Sequence, residues 1–169
     1  METLQAIHTR RSIRRYAPGK VGRDVVEELL RAGMAAPSAG NQQPWRFVVI
    51  EDRAVLERIP AIHPYAVMAS KASCAIMVCG DPTAEKYPGN WMLDCSAAIQ
   101  NILLALHDKG LGGVWCGLWP VEERVEAFRE LVGVPEHIIP LALIPVGVPD
   151  QNAGPQDRYD AAKIHWNRW

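Results

Sequence analysis

An α+β or α/β domain is the fold class this sequence predicts, and three observations predict it. Short apolar runs (Phe47–Ile50, Cys74–Cys79, Leu111–Gly117 and Ile138–Val148) alternate with stretches whose apolar residues recur at helical spacing. Neither an internal repeat nor a linker interrupts that alternation. At 169 residues and 49% hydrophobic content the chain is long enough for one domain, 1–169, with a real core.

The totals exclude several classes. A formal net charge of −1 argues against a generally basic nucleic-acid binder, and the apolar fraction argues against disorder. Met1–Gln5 lacks the charged and apolar pattern of a secretory leader, and the longest clean apolar run, Ile102–Leu106, is far too short to span a bilayer. A soluble cytoplasmic protein with no membrane or nucleic-acid partner is expected. Cys74, Cys79, Cys95 and Cys116 form no C-x-x-C pair and the five histidines show no ligand spacing, so neither a metal site nor a disulfide is expected.

Thr3–His8 reads as a short helix with Leu4 and Ile7 on its buried side. Asp24–Glu27 resembles a capping box, opening a helix whose stripe is Val25, Val26, Leu29, Leu30, Gly33 and Met34 and which Pro37 stops. Asp52–Ile59 is expected to be helical and to end at Pro60, with a further short helix around Tyr65–Ala69. Cys74–Cys79, closed by Gly80-Asp81-Pro82, predicts a central strand; residues 81–89 predict a loop able to cover a pocket. Asn90–Lys109, apolar or small over more than one face, predicts a central helix or one buried against a partner, with Gly110 after its end. Leu111–Gly117 reads as a glycine-flanked strand whose glycines admit a flat ligand or another backbone, or simply make a tight turn. Val121–Leu131 predicts an amphipathic helix. Pro140 and Pro145 make Ile138–Val148 an edge or bulged strand.

Two segments carry more chemistry than their structure requires. Arg10, Arg11, Arg14 and Arg15 fall within six positions of a nearly neutral chain, with Ser12 among them. Guanidinium groups bind phosphate in a planar, bidentate manner and a hydroxyl adds a donor, so an anion site competes here with a solvated basic turn or a nucleic-acid patch. The connector Ala35–Trp45 holds Pro37, Gly40, Pro44 and the hydrogen-bonding side chains of Ser38, Asn41, Gln42 and Gln43. Such a loop on a rigid scaffold often carries function. The tail from Pro149 to Trp169 is polar and aromatic, with Arg158, Tyr159, Trp166 and Trp169, and is expected to pack on something, a second subunit included.

Arg10–Arg14, Ala36–Trp45 and Gly110–Trp115, with a weaker fourth match at Asp157–Tyr159, together resemble the nitroreductase family of FMN-dependent oxidoreductases. The resemblance implies a three-layer α+β fold: a mixed, mainly antiparallel central sheet flanked by helices, in an intertwined homodimer whose C-terminal tail lies on the partner. It also implies that Arg10 and Ser12 hold the FMN phosphate, that Arg158 adds a second guanidinium, and that Arg11 contributes backbone and ribityl contacts. Arg14 would stand near the flavin N1–O2 edge, where reduced flavin carries negative charge. The backbone of Pro37, Ser38 and Ala39 would meet the cofactor held mainly by the other subunit. Asn41 and Gln43 would touch the ribityl chain or flavin edge, or only fix the loop. Trp115, Cys116 and Gly117 would line the isoalloxazine.

The implied reaction is ping-pong: NAD(P)H gives a hydride to the flavin, leaves, and a nitro, quinone or enone-type small molecule takes electrons in the same cleft. Because the cofactor performs the hard step, no catalytic residue is named. The stretch 61–89, which in this family shapes the substrate cleft, is short here, so the acceptor stays open. A non-catalytic FMN-binding or redox-sensing protein is the alternative.

Overall fold

The computed structural model describes residues 1–154 and 156–169. Five helices, α1 (Thr3–Thr9), α2 (Arg23–Met34), α3 (Arg53–Ile62), α4 (Trp91–Asp108) and α5 (Glu122–Val132), surround six strands. The strands are β1 (Tyr16–Ala17), β2 (Trp45–Ile50), β3 (Cys74–Gly80), β4 (Gly112–Gly113), β5 (Cys116–Gly117) and β6 (Ile139–Pro149). They run in the order β1-β6-β3-β2, with β4 and β5 also paired to β6, and every pairing is antiparallel.

The sheet is covered on both faces, which makes three layers. Alternation along β3 divides its side chains: Cys74, Ile76 and Val78 join the core beneath α2 and α4, while Ala75, Met77 and Cys79 join the core beneath α3 and α5. This two-sided burial explains the unbroken apolar run in β3 and its complete burial. All four cysteines are buried free thiols; burial pushes Cys79 and Cys95 up to about 12 and Cys116 up to about 11. Among the described residues, no helix is long and apolar enough to cross a membrane.

Several local expectations are corrected. Ile138–Val148 is not an edge strand: β6 is flanked by β3 on one side and by β1, β4 and β5 on the other. Of the two alternatives the bulged one holds, and its prolines are accommodated by irregularities. Pro140 stands opposite Cys79, where the register shifts between Val78 and Cys79. Pro145 lies opposite the break between β4 and β5, since Gly113 pairs with Val146 and Cys116 with Leu143. That break also explains why Leu111–Gly117 forms two short strands rather than one. Asp24 caps nothing: α2 starts one residue earlier behind Gly22, and Asp24 sits in its first turn. Pro60 lies inside α3 near its end, where only one backbone bond is forfeited, and Asp52 is the true N-cap, accepting from the Ala54 amide. The helix expected around Tyr65–Ala69 is a 3-10 turn at Val67–Lys71.

Helix α1 departs most. Ala6 is its buried residue, whereas Leu4 and Ile7 are 69% and 47% exposed. The tail is similar: Tyr159, Trp166 and Trp169 are 75%, 84% and 101% exposed. Large apolar side chains at both ends of the chain thus lie outside the core of the protomer.

Candidate functional site

Residues 10–15 follow α1 without regular secondary structure and are tied on both sides. The Ile13 amide donates to the Gly113 carbonyl at 3.0 Å, joining the segment to β4. On the other side the Gln151 side-chain oxygen accepts from the amides of Arg14 and Arg15 at 2.9 and 3.0 Å, and its Nε2 donates to the Ser12 carbonyl at 3.3 Å. One glutamine therefore fixes the backbone from which the basic side chains project. Gly112 makes room for this: a Cβ there would stand 2.5 Å from Ile13 Cγ2. The close approach at Gly112 is to Ile13 and that at Gly113 is to Leu106.

Arg10 and Arg11 meet Arg158 of the tail around a cavity of about 330 Å³, with Ile7 and His8 of α1 in its wall. Burial first, then the charges of Arg158 and Arg11, push the Arg10 guanidinium below its ordinary range, and Asp157 is the one carboxylate among the described residues that line the cavity. Arg11 is mostly engaged in holding the tail to α1: Nε donates to the Gly154 carbonyl at 3.0 Å and Nη1 to the His8 carbonyl at 2.9 Å. Its Nη2 is buried and has no partner among the described residues. A buried, charged donor left open beside two further guanidiniums fits an oxyanion such as a phosphate. Ser12 is half-buried and lies beyond this wall.

A second cavity, of about 650 Å³, opens along β5. Arg14, Trp115, Cys116 and Gly117 line it together with His63 and Arg124. A Cβ built on Gly117 would meet nothing within 4 Å, so the backbone there is open to a flat occupant. The position of the Gly117 carbonyl is fixed from behind. His63 Nδ1 accepts from the Tyr65 amide at 3.2 Å, which places the ring proton on Nε2, and Nε2 donates to the Gly117 carbonyl at 3.0 Å. Burial, then the Arg124 charge, holds the His63 pKa below the ordinary imidazole range, so the ring is neutral.

The Pro37–Gln43 loop lines neither cavity of its own chain. It is held by a buried polar pair. Asp94 of α4 accepts from the Ala39 amide at 2.9 Å and from Gln42 Nε2 at 2.7 Å. Gln42 Oε1 in turn accepts from the amides of Lys86 and Tyr87 at 2.9 and 3.1 Å. Asn41 and Gln43 bond each other at 2.9 Å, and the Gln43 amide donates to Ser38 Oγ at 3.1 Å. Asn41 and Gln43 have φ of 54° and 50°, a left-handed backbone uncommon for residues other than glycine and costly unless the surroundings impose it.

Of the residues singled out in the sequence, Arg10, Arg11 and Arg158 come together around one cavity, and Arg14, Trp115, Cys116 and Gly117 around another. Pro37, Ser38, Ala39, Asn41 and Gln43 stand apart, on a loop whose exposed side chains fix one another. Sequence reasoning missed Gln151, Asp94, His63 and Arg124. Only Asp94 left a signal, as the one acid on the buried side of an otherwise apolar helix.

The family described as the nitroreductase family matches residues 7–63 and 64–148. A protein of Methanothermobacter thermautotrophicus named "Putative NADH dehydrogenase/NAD(P)H nitroreductase" is 48% identical over 169 residues, covering 100% of this chain and 88% of its own length. A crystal structure from Parabacteroides distasonis bearing the same name superposes with a TM-score of 0.95 at 42% identity, covering 99% of this chain and 98% of that one. A nitroreductase-like protein of Desulfovibrio desulfuricans, solved in complex with FMN, superposes with a TM-score of 0.84 at 33% identity, covering 98% and 96% of the two chains. Together with the three-layer fold, these matches over nearly the whole length establish that the chain belongs to the nitroreductase family.

Proposed function

We propose that this chain is an FMN-dependent oxidoreductase that takes a hydride from NAD(P)H and passes electrons to a small nitro, quinone or enone-type acceptor. The observation that carries this reading is the pairing of a cavity lined by three arginines, with a buried unpartnered guanidinium nitrogen on Arg11, and a larger, aromatic-walled cavity that contains Arg14 and the open Gly117 backbone. The FMN complex of the D. desulfuricans relative and the NAD(P)H in the archaeal relative's name support it.

In this reading Arg10, Arg11 Nη2 and Arg158 hold the phosphate, with Ser12 beside them, while Gln151 keeps their backbone in place. Arg14 supplies a fixed positive charge to the pyrimidine edge of the flavin, where it favours the reduced, anionic state. Trp115, Cys116 and Gly117 form the wall against the ring system, and His63 holds that wall by its bond to the Gly117 carbonyl. When bound, FMN supplies the two-electron chemistry that links NAD(P)H to the acceptor, the two taking the cleft in turn. The protein binds, orients and excludes water, and no side chain has to act as acid, base or nucleophile.

The site is completed by a second copy of the chain. Pro37, Ser38 and Ala39 line neither of these two cavities of their own protomer, and the exposed Leu4, Ile7, Trp166 and Trp169 offer apolar surface at both chain ends. In the homodimer that loop faces the partner's cofactor, and the tail lies on the partner.

The test is the absorption spectrum after incubation with FMN, followed by anaerobic addition of NADH or NADPH. A bound flavin spectrum that bleaches on addition and recovers with an acceptor is expected. A colourless protein refutes the reading, and a coloured one that does not bleach is a flavin-binding protein without this activity.

A further inference from the structure

The larger cavity contains a cation that the proposed flavin site leaves unassigned. Arg124 lies in the first turn of α5, where the helix dipole disfavours positive charge, and it is half-buried. Among the described residues its guanidinium has no ion-pair partner. It stands 5.7 Å from the centre of the Tyr65 ring and makes only a long contact, 3.5 Å, to the Gly117 carbonyl. Glu122 and Glu123 share its helical turn without pairing to it, and the cavity lining includes Arg14 and His63 but no carboxylate. By contrast, Arg46, Arg53 and Arg129, elsewhere on the same face of the sheet, each sit within reach of an acid.

We propose that Arg124 is an anchor for a ligand's anionic group, so that the cavity selects flat π-systems joined to a carboxylate or phosphate. The proposal rests on the function argued above and specifies its substrate class. Tyr65, 73% exposed, and Trp115, 38% exposed, supply apolar ring surface beside the charge. Tyr65 lies within cation–π range of the guanidinium, so the charge and an aromatic face border the cavity together. The anion belongs either to the electron acceptor or to the phosphate of the nicotinamide donor, since both use one cleft in turn.

Titrations of the FMN-loaded protein, read by perturbation of flavin absorbance and by tryptophan quenching, distinguish the two sources. One arm compares 4-nitrobenzoate with neutral 4-nitrobenzamide; the other compares nicotinamide mononucleotide with phosphate-free nicotinamide riboside. In at least one arm the native protein should favour the anionic member, and Arg124→Gln should lower that preference about ten-fold, with Arg124→Lys retaining part of it. The arm that responds identifies the source. A purely structural Arg124 would weaken both members of each pair alike, and preference ratios unchanged in both arms overturn the proposal. If FMN fails to bind, the functional reading falls, while tryptophan quenching by 4-nitrobenzoate and 4-nitrobenzamide in the flavin-free protein still reports on Arg124.

Discussion

Replacing Gln42 with methionine removes the link between the Pro37–Gln43 loop and α4 while nearly conserving volume. Gln42 is 7% exposed and Asp94 6%, so both ends of the 2.7 Å bond between them are shielded from water. The substitution leaves Asp94 Oδ2 without its donor, and a hydrogen bond to a charged group contributes about 1.5–3 kcal/mol. It also frees the amides of Lys86 and Tyr87, but both residues are exposed and water replaces much of that loss. The net cost should be about 2–4 kcal/mol. For a domain of this size that lowers Tm by about 4–16 °C. Urea unfolding of flavin-free protein gives the free energy directly, with an unchanged slope showing that only stability has moved. A loss below about 0.5 kcal/mol would refute the assignment of this pair as the loop's anchor, because a desolvated carboxylate cannot lose its donor at so little cost.

Arg10→Met and Arg158→Met should each weaken FMN binding roughly ten- to hundredfold, with the more exposed Arg158 at the lower end; fluorescence titration checks both. Gly112→Ala drives a Cβ into Ile13 and should cost about 1–3 kcal/mol, measured by thermal unfolding. His63 gives a pH dependence of definite sign. Its folded pKa lies below the ordinary imidazole value, so below pH about 6.5 the unfolded chain takes up the proton first and stability falls with falling pH. The loss continues down to the depressed folded value, and His63→Gln should flatten this part of the profile in urea unfolding followed from pH 7.5 to 5. His107, also lowered by burial and then by Arg10 and Arg11, leaves a slope of the same sign.

The layering was legible wherever the periodicity was strong. Helix α2 and strand β3 follow from the spacing of Val26, Leu29 and Gly33 and from the unbroken apolar run Cys74–Cys79. Strand β6 was left between two readings, an edge strand or a bulged one, because proline speaks only about a missing donor. Pro140 and Pro145 argue equally for an edge or for a central strand with gaps opposite them, and only the register decides. Leu4 and Ile7 show the opposite limit: an apolar stripe says that a face is to be covered, not that the same chain covers it. In the candidate site, the arginines announced themselves by concentration. Their supports did not, since Gln151 is 137 residues from the backbone amide of Arg14 and His63 is 54 residues from Gly117. Polar residues of that kind acquire meaning only through long-range contacts.

The central claim is that Arg10, Arg11 and Arg158 form a phosphate site serving a flavin in the cavity along β5. Its most direct measurement compares the affinity of the flavin-free protein for FMN and for riboflavin, which differ only in the phosphate. The account predicts that FMN binds at least a hundredfold more tightly and that Arg10→Met combined with Arg158→Met removes most of this advantage. Equal affinity for the two flavins, or an advantage untouched by the double substitution, would contradict it.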